Sequence, residues 1–156
     1  MVIVQGAPFN CGEEINRFTK RNFNSGGIVT FIGQVRDFQT NGGQKTSTVE
    51  ALELEHYPGM TEKELQRITN KTHKRWPLDD IHLIHRFGSM KPGDPIVLVC
   101  TAAEHRGDAF SACEFIMDWL KISAPFWKRE QTAEGASWVS GRESDTARTS
   151  RWTKEN

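Results

Sequence analysis

The run "PIVLVCTAA" at 95–103 is apolar or small at every position and shows no polar alternation. Such a run is a strand from the centre of a sheet, covered on both faces. Through "EHRG" the chain then enters "DAFSACEFIMDWLKISA", where Ala109, Cys113, Ile116 or Met117, and Leu120 share one helical face. A buried strand feeding a long helix needs a domain of packed sheet and helix layers.

The flanking segments supply the remaining layers. "MVIVQ" reads as a first strand, and in "NCGEEINRFTK" Asn10 caps a helix with Glu13 in capping-box position. "GGIVTFIGQVR" reads as a buried, central strand. In "VEALELEHY", Leu52, Leu54 and His56 share one face while Val49 and Ala51 fall out of phase, which predicts a bulge near Ala51. Thr61 is expected to cap a second helix with Glu64 in the reciprocal position; Leu65, Ile68 and Thr72 follow at helical spacing, and Pro77 ends it. "IHLIHRFGSM" is a further strand, and "GASWVSGRESD" adds a last one. This order predicts an α+β fold with a mixed, mainly antiparallel sheet in a single domain, 1–156. Residues 37–48 are expected to be a mobile loop, and 146–156 a frayed tail.

Twenty basic and twenty acidic side chains cancel, so no global field draws in nucleic acid or an anionic membrane, and any anion site must be local. Cys11, Cys100 and Cys113 lack metal-ligand spacing and suit buried thiols in a reducing, cytoplasmic compartment. No segment reaches the apolar length needed to span a bilayer, and the N-terminus lacks an export pattern. His82 and His85 lie three apart on a strand, hence on opposite faces, which argues against a metal pair.

Three places carry candidate chemistry. In "WLKISAPFWKRE" Lys121 falls in the last turn of a helix, where the macrodipole alone favours a cation. Pro125 stops that helix, Phe126 and Trp127 anchor the chain, and Lys128 then stands beside apolar walls that disfavour its charge, as does a nearby second ammonium. At "AEHRGD" a strand meets a helix start, a natural phosphate site to which His105 and Arg106 add donors; pairing of Arg106 with Glu104 or Asp108 is the competing reading. Arg36 ends "FIGQVRD", where it either binds an anion or marks the strand's exit into water.

Taken together, "VTFIGQVRD", "LELEHYPGMTEKEL", "RWPLDDIHLIHRFG", "PGDPIVLV", "AEHRGDAFSACEFIMDWLKISAPFWKRE" and "WVSGRESD" resemble the large, catalytic subunit of molybdopterin synthase. The resemblance implies an α/β-hammerhead-type fold with additional strands. It further implies a sulfurtransferase that needs no cofactor and no metal. Sulfur would come from the C-terminal thiocarboxylate of a small ubiquitin-like subunit and go to cyclic pyranopterin monophosphate, forming the dithiolene of molybdopterin. The expected assembly is a homodimer at the centre of a heterotetramer. By the same resemblance Lys121 and Lys128 are the catalytic pair; Lys128 as acid/base group with Lys121 orienting the thiocarboxylate is one division of their roles, which the sequence leaves open. Gln34, Val35, Arg36, His105, Arg106, Arg129 and Glu130 match substrate-binding positions, and Arg142 is expected to reach a neighbouring protomer's pocket.

Overall fold

A computed structural model describes residues 1–41, 44–133, 135–139 and 148–152. Its first sheet has the order β1 (Val2–Gln5), β5 (Leu78–Arg86), β7 (Pro95–Ala103), β2 (Gly27–Gln34). Only β1 and β5 run parallel there. A second, antiparallel sheet has the order β3 (Phe38–Asn41), β4 (Gln44–His56), β8 (Phe126–Thr132), β9 (Gly135–Val139), with β6 (Gly88–Met90) also paired to β4. The helices are α1 (Cys11–Arg21), α2 (Met60–Arg75) and α3 (Arg106–Ser123). This is the α+β class with mixed, mainly antiparallel sheets that the segment order predicts. Among the described residues no helix is long and apolar enough to cross a membrane.

The apolar run of β7 is central, held between β5 and β2. Strand alternation sends its side chains into two cores. Val97 and Val99 pack with Leu65 and Ile68 of α2 and with Cys113, Ile116 and Leu120 of α3. Leu98, Cys100 and Ala102 pack with Phe18 of α1 on the other side. The same alternation separates the two β5 histidines: His82 reaches Glu14 of α1 (3.0 Å), and His85 stacks on Phe126 beyond α3.

Asn10 caps α1 as expected, accepting from the Glu13 amide at 3.2 Å, while the Glu13 carboxylate turns to Arg17. The register of β4 slips between Val49 and Ala51, where the phase of its leucines changes. Helix α2 starts earlier than the Thr61 cap implies. Gly59, at φ +79°, turns the chain and donates its amide to Glu62 at 2.6 Å, so Thr61 lies inside the first turn, buried.

Three expectations need correction. β2 is an edge strand, not a central one, and Phe31 and Ile32 are exposed on it; an apolar run does not reveal how many neighbours its strand has. Residues 38–41 and 44–48 form a hairpin rather than a loop, with Thr40 opposite Lys45 and the Lys45 ammonium 3.9 Å from the Phe38 ring centre. Residues 148–152 are docked, not frayed: Trp152 sits edge-on to Trp76 and Phe115, and Arg151 reaches Asp118 at 2.6 Å.

Candidate active site

The segment from Lys121 to Glu130 crosses from the first layer to the second through one tight turn. Helix α3 ends at Ser123 because Ala124 precedes proline and takes an extended backbone. The Phe126 amide then donates back to the Ala124 carbonyl at 2.8 Å, a three-residue turn centred on Pro125. β8 begins at once.

Alternation along β8 decides what each residue faces. Lys128 lies opposite Leu54, and Glu130 opposite buried Leu52, so both point to the inner face of the second sheet. There the Lys128 ammonium meets the buried Glu130 carboxylate at 2.6 Å. The sequence pattern suggests apolar walls and a like-charged neighbour for Lys128; the structure gives it a counter-charge. Arg129 faces the other way, over Trp138 at 5.6 Å, and lines a separate shallow groove of about 220 Å³ with Glu53 and Gln131. Arg129 therefore does not share the lysine face.

Lys121 is exposed at the end of α3. It borders a groove of about 380 Å³ whose walls include Phe31 of β2 and Phe110 and Met117 of α3, with Asp118 and Arg148 along one side. Sequence reasoning missed Phe31, Phe110 and Arg148. The apolar pair had a signal in the unpaired aromatics of "VTFIGQ" and "GDAFSA"; Arg148 lay in the segment expected to fray.

Arg36 leaves the end of β2 just after Gln34 and Val35. Gln34 donates its side-chain amide to the Gly93 carbonyl at 3.1 Å, and the Val35 amide donates to Asp94 at 3.0 Å. Val35 is buried in the same apolar cluster as Leu54, the residue opposite Lys128. These ties bring the strand end beside β4 and leave the Arg36 guanidinium exposed, 5.5 Å from the Phe38 ring centre.

His105 and Arg106 occupy the other end of the molecule. The His105 carbonyl starts α3, and among the described residues its exposed ring has Glu104 at 3.7 Å. Arg106 is exposed and, among the described residues, has no carboxylate partner, so pairing with Glu104 or Asp108 is not what holds it. The junction packs tightly on β2: a Cβ on Gly26 would run into the Glu104 carbonyl, and one on Gly27 would lie 3.1 Å from the Arg106 Cα.

β2 therefore has Arg106 at its start and Arg36 just past its end. Its eight residues span roughly 24 Å at the usual rise. Lys121 stands a similar roughly 22 Å from Arg106 along the axis of α3. Along β2 and α3, Arg36 and Lys121 thus lie toward one pole and His105 and Arg106 at the other, with Lys128 beyond Lys121 across the Pro125 turn. Arg142, expected to reach a neighbouring protomer, lies outside the described residues.

The α+β fold thus carries lysines, an ion-paired carboxylate and an arginine toward one pole and a helix start without a side-chain cap at the other. A wider likeness gives the particular family. The MoaE protein family matches residues 4–123 of the chain. A "Molybdopterin synthase catalytic subunit" of Pseudomonas aeruginosa is 50% identical over 149 residues, covering 96% of each chain. The solved MoaE protein of Burkholderia ambifaria superposes with a TM-score of 0.80 at 44% identity, covering 99% of each chain. A "Protein-protein complex of subunit 1 and 2 of Molybdopterin-converting factor" from Helicobacter pylori shares the fold at a TM-score of 0.73 and 16% identity, covering 90% of this chain and 91% of that one. The chain belongs to the MoaE family of molybdopterin synthase catalytic subunits.

Proposed function

We propose that this chain takes sulfur from the C-terminal thiocarboxylate of a small ubiquitin-like subunit and installs it on cyclic pyranopterin monophosphate, building the dithiolene of molybdopterin. The observation that carries the reading is the Lys128–Glu130 pair, held on an inner sheet face one tight turn away from exposed Lys121 and its apolar groove. A groove of that shape suits an extended tail ending in an anion, and Lys121 supplies the opposite charge.

In the reaction the partner's sulfur attacks a side-chain carbon of the pterin, and an oxygen leaves. Lys128 gives that oxygen its proton, and Glu130 keeps the ammonium aimed before the transfer and balances charge around it. Water then splits the acyl–sulfur bond, leaving one sulfur on the pterin and a carboxylate on the partner, and the proton released returns to Lys128; a second thiocarboxylated partner repeats the transfer at the neighbouring side-chain carbon. Arg36 supplies a fork of donors for the anionic substrate. His105 and Arg106, roughly 24 Å away along β2, serve the same substrate when a second copy of the chain brings its own helix start to the lysine pole. That arrangement suits a homodimer flanked by two small subunits.

Mixing purified protein with thiocarboxylated partner and precursor tests the reading, with dithiolene product as the readout. Lys121→Ala and Lys128→Ala are each expected to abolish most of the product. If both variants make product as fast as the parent, the lysines are electrostatic anchors of a presenting subunit and not catalytic groups.

A further inference from the structure

The turn that separates the lysines is gripped by residues outside the lysine segment. Phe126 follows Pro125 and shares the inner face of β8 with Lys128 and Glu130. Its ring lies flat on the imidazole of His85, with centroids 3.8 Å apart and planes inclined by 16°. Across the sheet its register partner is His56, at 6.4 Å, which itself stacks on Phe87 at 4.1 Å. From below, Thr61 of α2 donates to the Pro125 carbonyl at 3.5 Å.

His85 is well fixed for such a role. Its Nδ1–H donates to the Arg86 carbonyl at 2.9 Å, which sets the ring plane. Its strand is paired on both sides, to Val4 of β1 and Val97 of β7, so the ring projects from an interior strand of the first sheet. The stack is therefore a bridge between the two sheets. Where Phe126 sits determines where the next inward residue, Lys128, emerges.

We propose that His85 is a positioning residue for the sulfur-transfer reaction, acting through its flat stack on Phe126 to aim Lys128. The inference rests on the reading of Lys128 as the reacting group. Truncating His85 removes the surface on which Phe126 is seated and lets the start of β8 shift. Displacements of about 1 Å at a reacting group cost about 100-fold in rate. The stack itself needs a flat ring, which phenylalanine supplies while giving up the bond to the Arg86 carbonyl.

The experiment compares His85→Ala, His85→Phe and Phe126→Leu with the parent, each at a temperature where circular dichroism shows it folded. His85→Ala and Phe126→Leu should lower kcat by about 10- to 100-fold while KM for the pterin stays close to the parent's. His85→Phe should restore most of the lost kcat. A second readout needs no substrate: the rate of reductive methylation at Lys128, followed by mass spectrometry, should change in His85→Ala and return in His85→Phe. The proposal is overturned if His85→Ala keeps the parent's kcat, if its Lys128 methylates at the parent's rate, or if His85→Phe is as slow as His85→Ala. Should His85→Ala fail to fold, Phe126→Leu carries the same comparison. A parent that makes no product refutes the sulfur-transfer reading; altered Lys128 methylation would then still uphold the His85 placement.

Discussion

Substituting Asp118 by asparagine should release the C-terminal segment without unfolding the domain. The buried Asp118 carboxylate accepts from the Arg151 guanidinium at 2.6 Å and from the Trp152 indole at 2.8 Å, and faces Arg148 at 3.3 Å. Hydrogen bonds to a charged group contribute about 1.5–3 kcal/mol each when shielded. The guanidinium side chains of Arg148 and Arg151 are 58% and 41% exposed, so each ion pair is better taken at about 0.5–1 kcal/mol. The indole bond adds about 1 kcal/mol. The amide keeps the shape of the carboxylate but lacks the charge, so docking should weaken by about 2 kcal/mol, a roughly 30-fold rise in the undocked fraction. Glu114, 2.7 Å from Arg151, remains as a second anchor and sets the ceiling on that effect. Brief trypsin digestion with mass-spectrometric mapping reads the outcome, because cleavage after Arg148 and Arg151 requires the segment to open. Cleavage there should accelerate about 30-fold while fragments from the β7–α3 core appear at the parent's rate. An unchanged rate at Arg148, or equal acceleration throughout the chain, would refute these docking energetics.

Glu130→Gln should lower kcat more than it raises KM, because it removes the counter-charge that aims Lys128. The stability loss should be about 1–2 kcal/mol, less than for a fully enclosed pair, since a third of the Lys128 side chain reaches solvent; chemical denaturation checks it. Acid should destabilise the fold before its carboxylates titrate. Burial, opposed by the bond to the Arg86 carbonyl, lowers His85 from its ordinary 6.5 to about 4, and burial against the opposing pull of Glu14 lowers His82 in the same sense. The unfolded chain thus takes up protons that the folded chain refuses. His85 alone accounts for about 3 kcal/mol, present above pH 6.5 and lost as pH falls toward 4. Urea midpoints measured across that window should fall, and should fall less in His85→Phe; a flat profile would contradict the lowered titration of the two rings. Gly26→Ala forces a Cβ into the Glu104 carbonyl, and a loss of about 1–3 kcal/mol in thermal or urea unfolding is expected.

What could be read from the sequence was what depends on near neighbours along the chain. The β7 run, the Asn10 cap and the slip near Ala51 each follow from residue types within a few positions, and each appears in the fold. What escaped depends on partners far away. Nothing in "GGIVTFIGQVR" says whether one strand or two will flank it, and Trp152 docks against residues 76 and 115 that no local pattern connects to it. The lysine site divides along the same line. Lys121 and Lys128 stand out in the sequence because Pro125 and two aromatics sit between them, and the chain turns at Pro125 as that spacing predicts. Glu130 was matched to the substrate, yet a period of two along β8 already set it on the face of Lys128 and turned Arg129 away. On that face the Glu130 carboxylate meets the Lys128 ammonium at 2.6 Å. The separation of His105 and Arg106 from Arg36 has an equally simple origin, since antiparallel pairing puts the end of β7 beside the start of β2. On the proposed reading, a substrate that touches both poles takes its His105 and Arg106 contacts from a second copy of the chain.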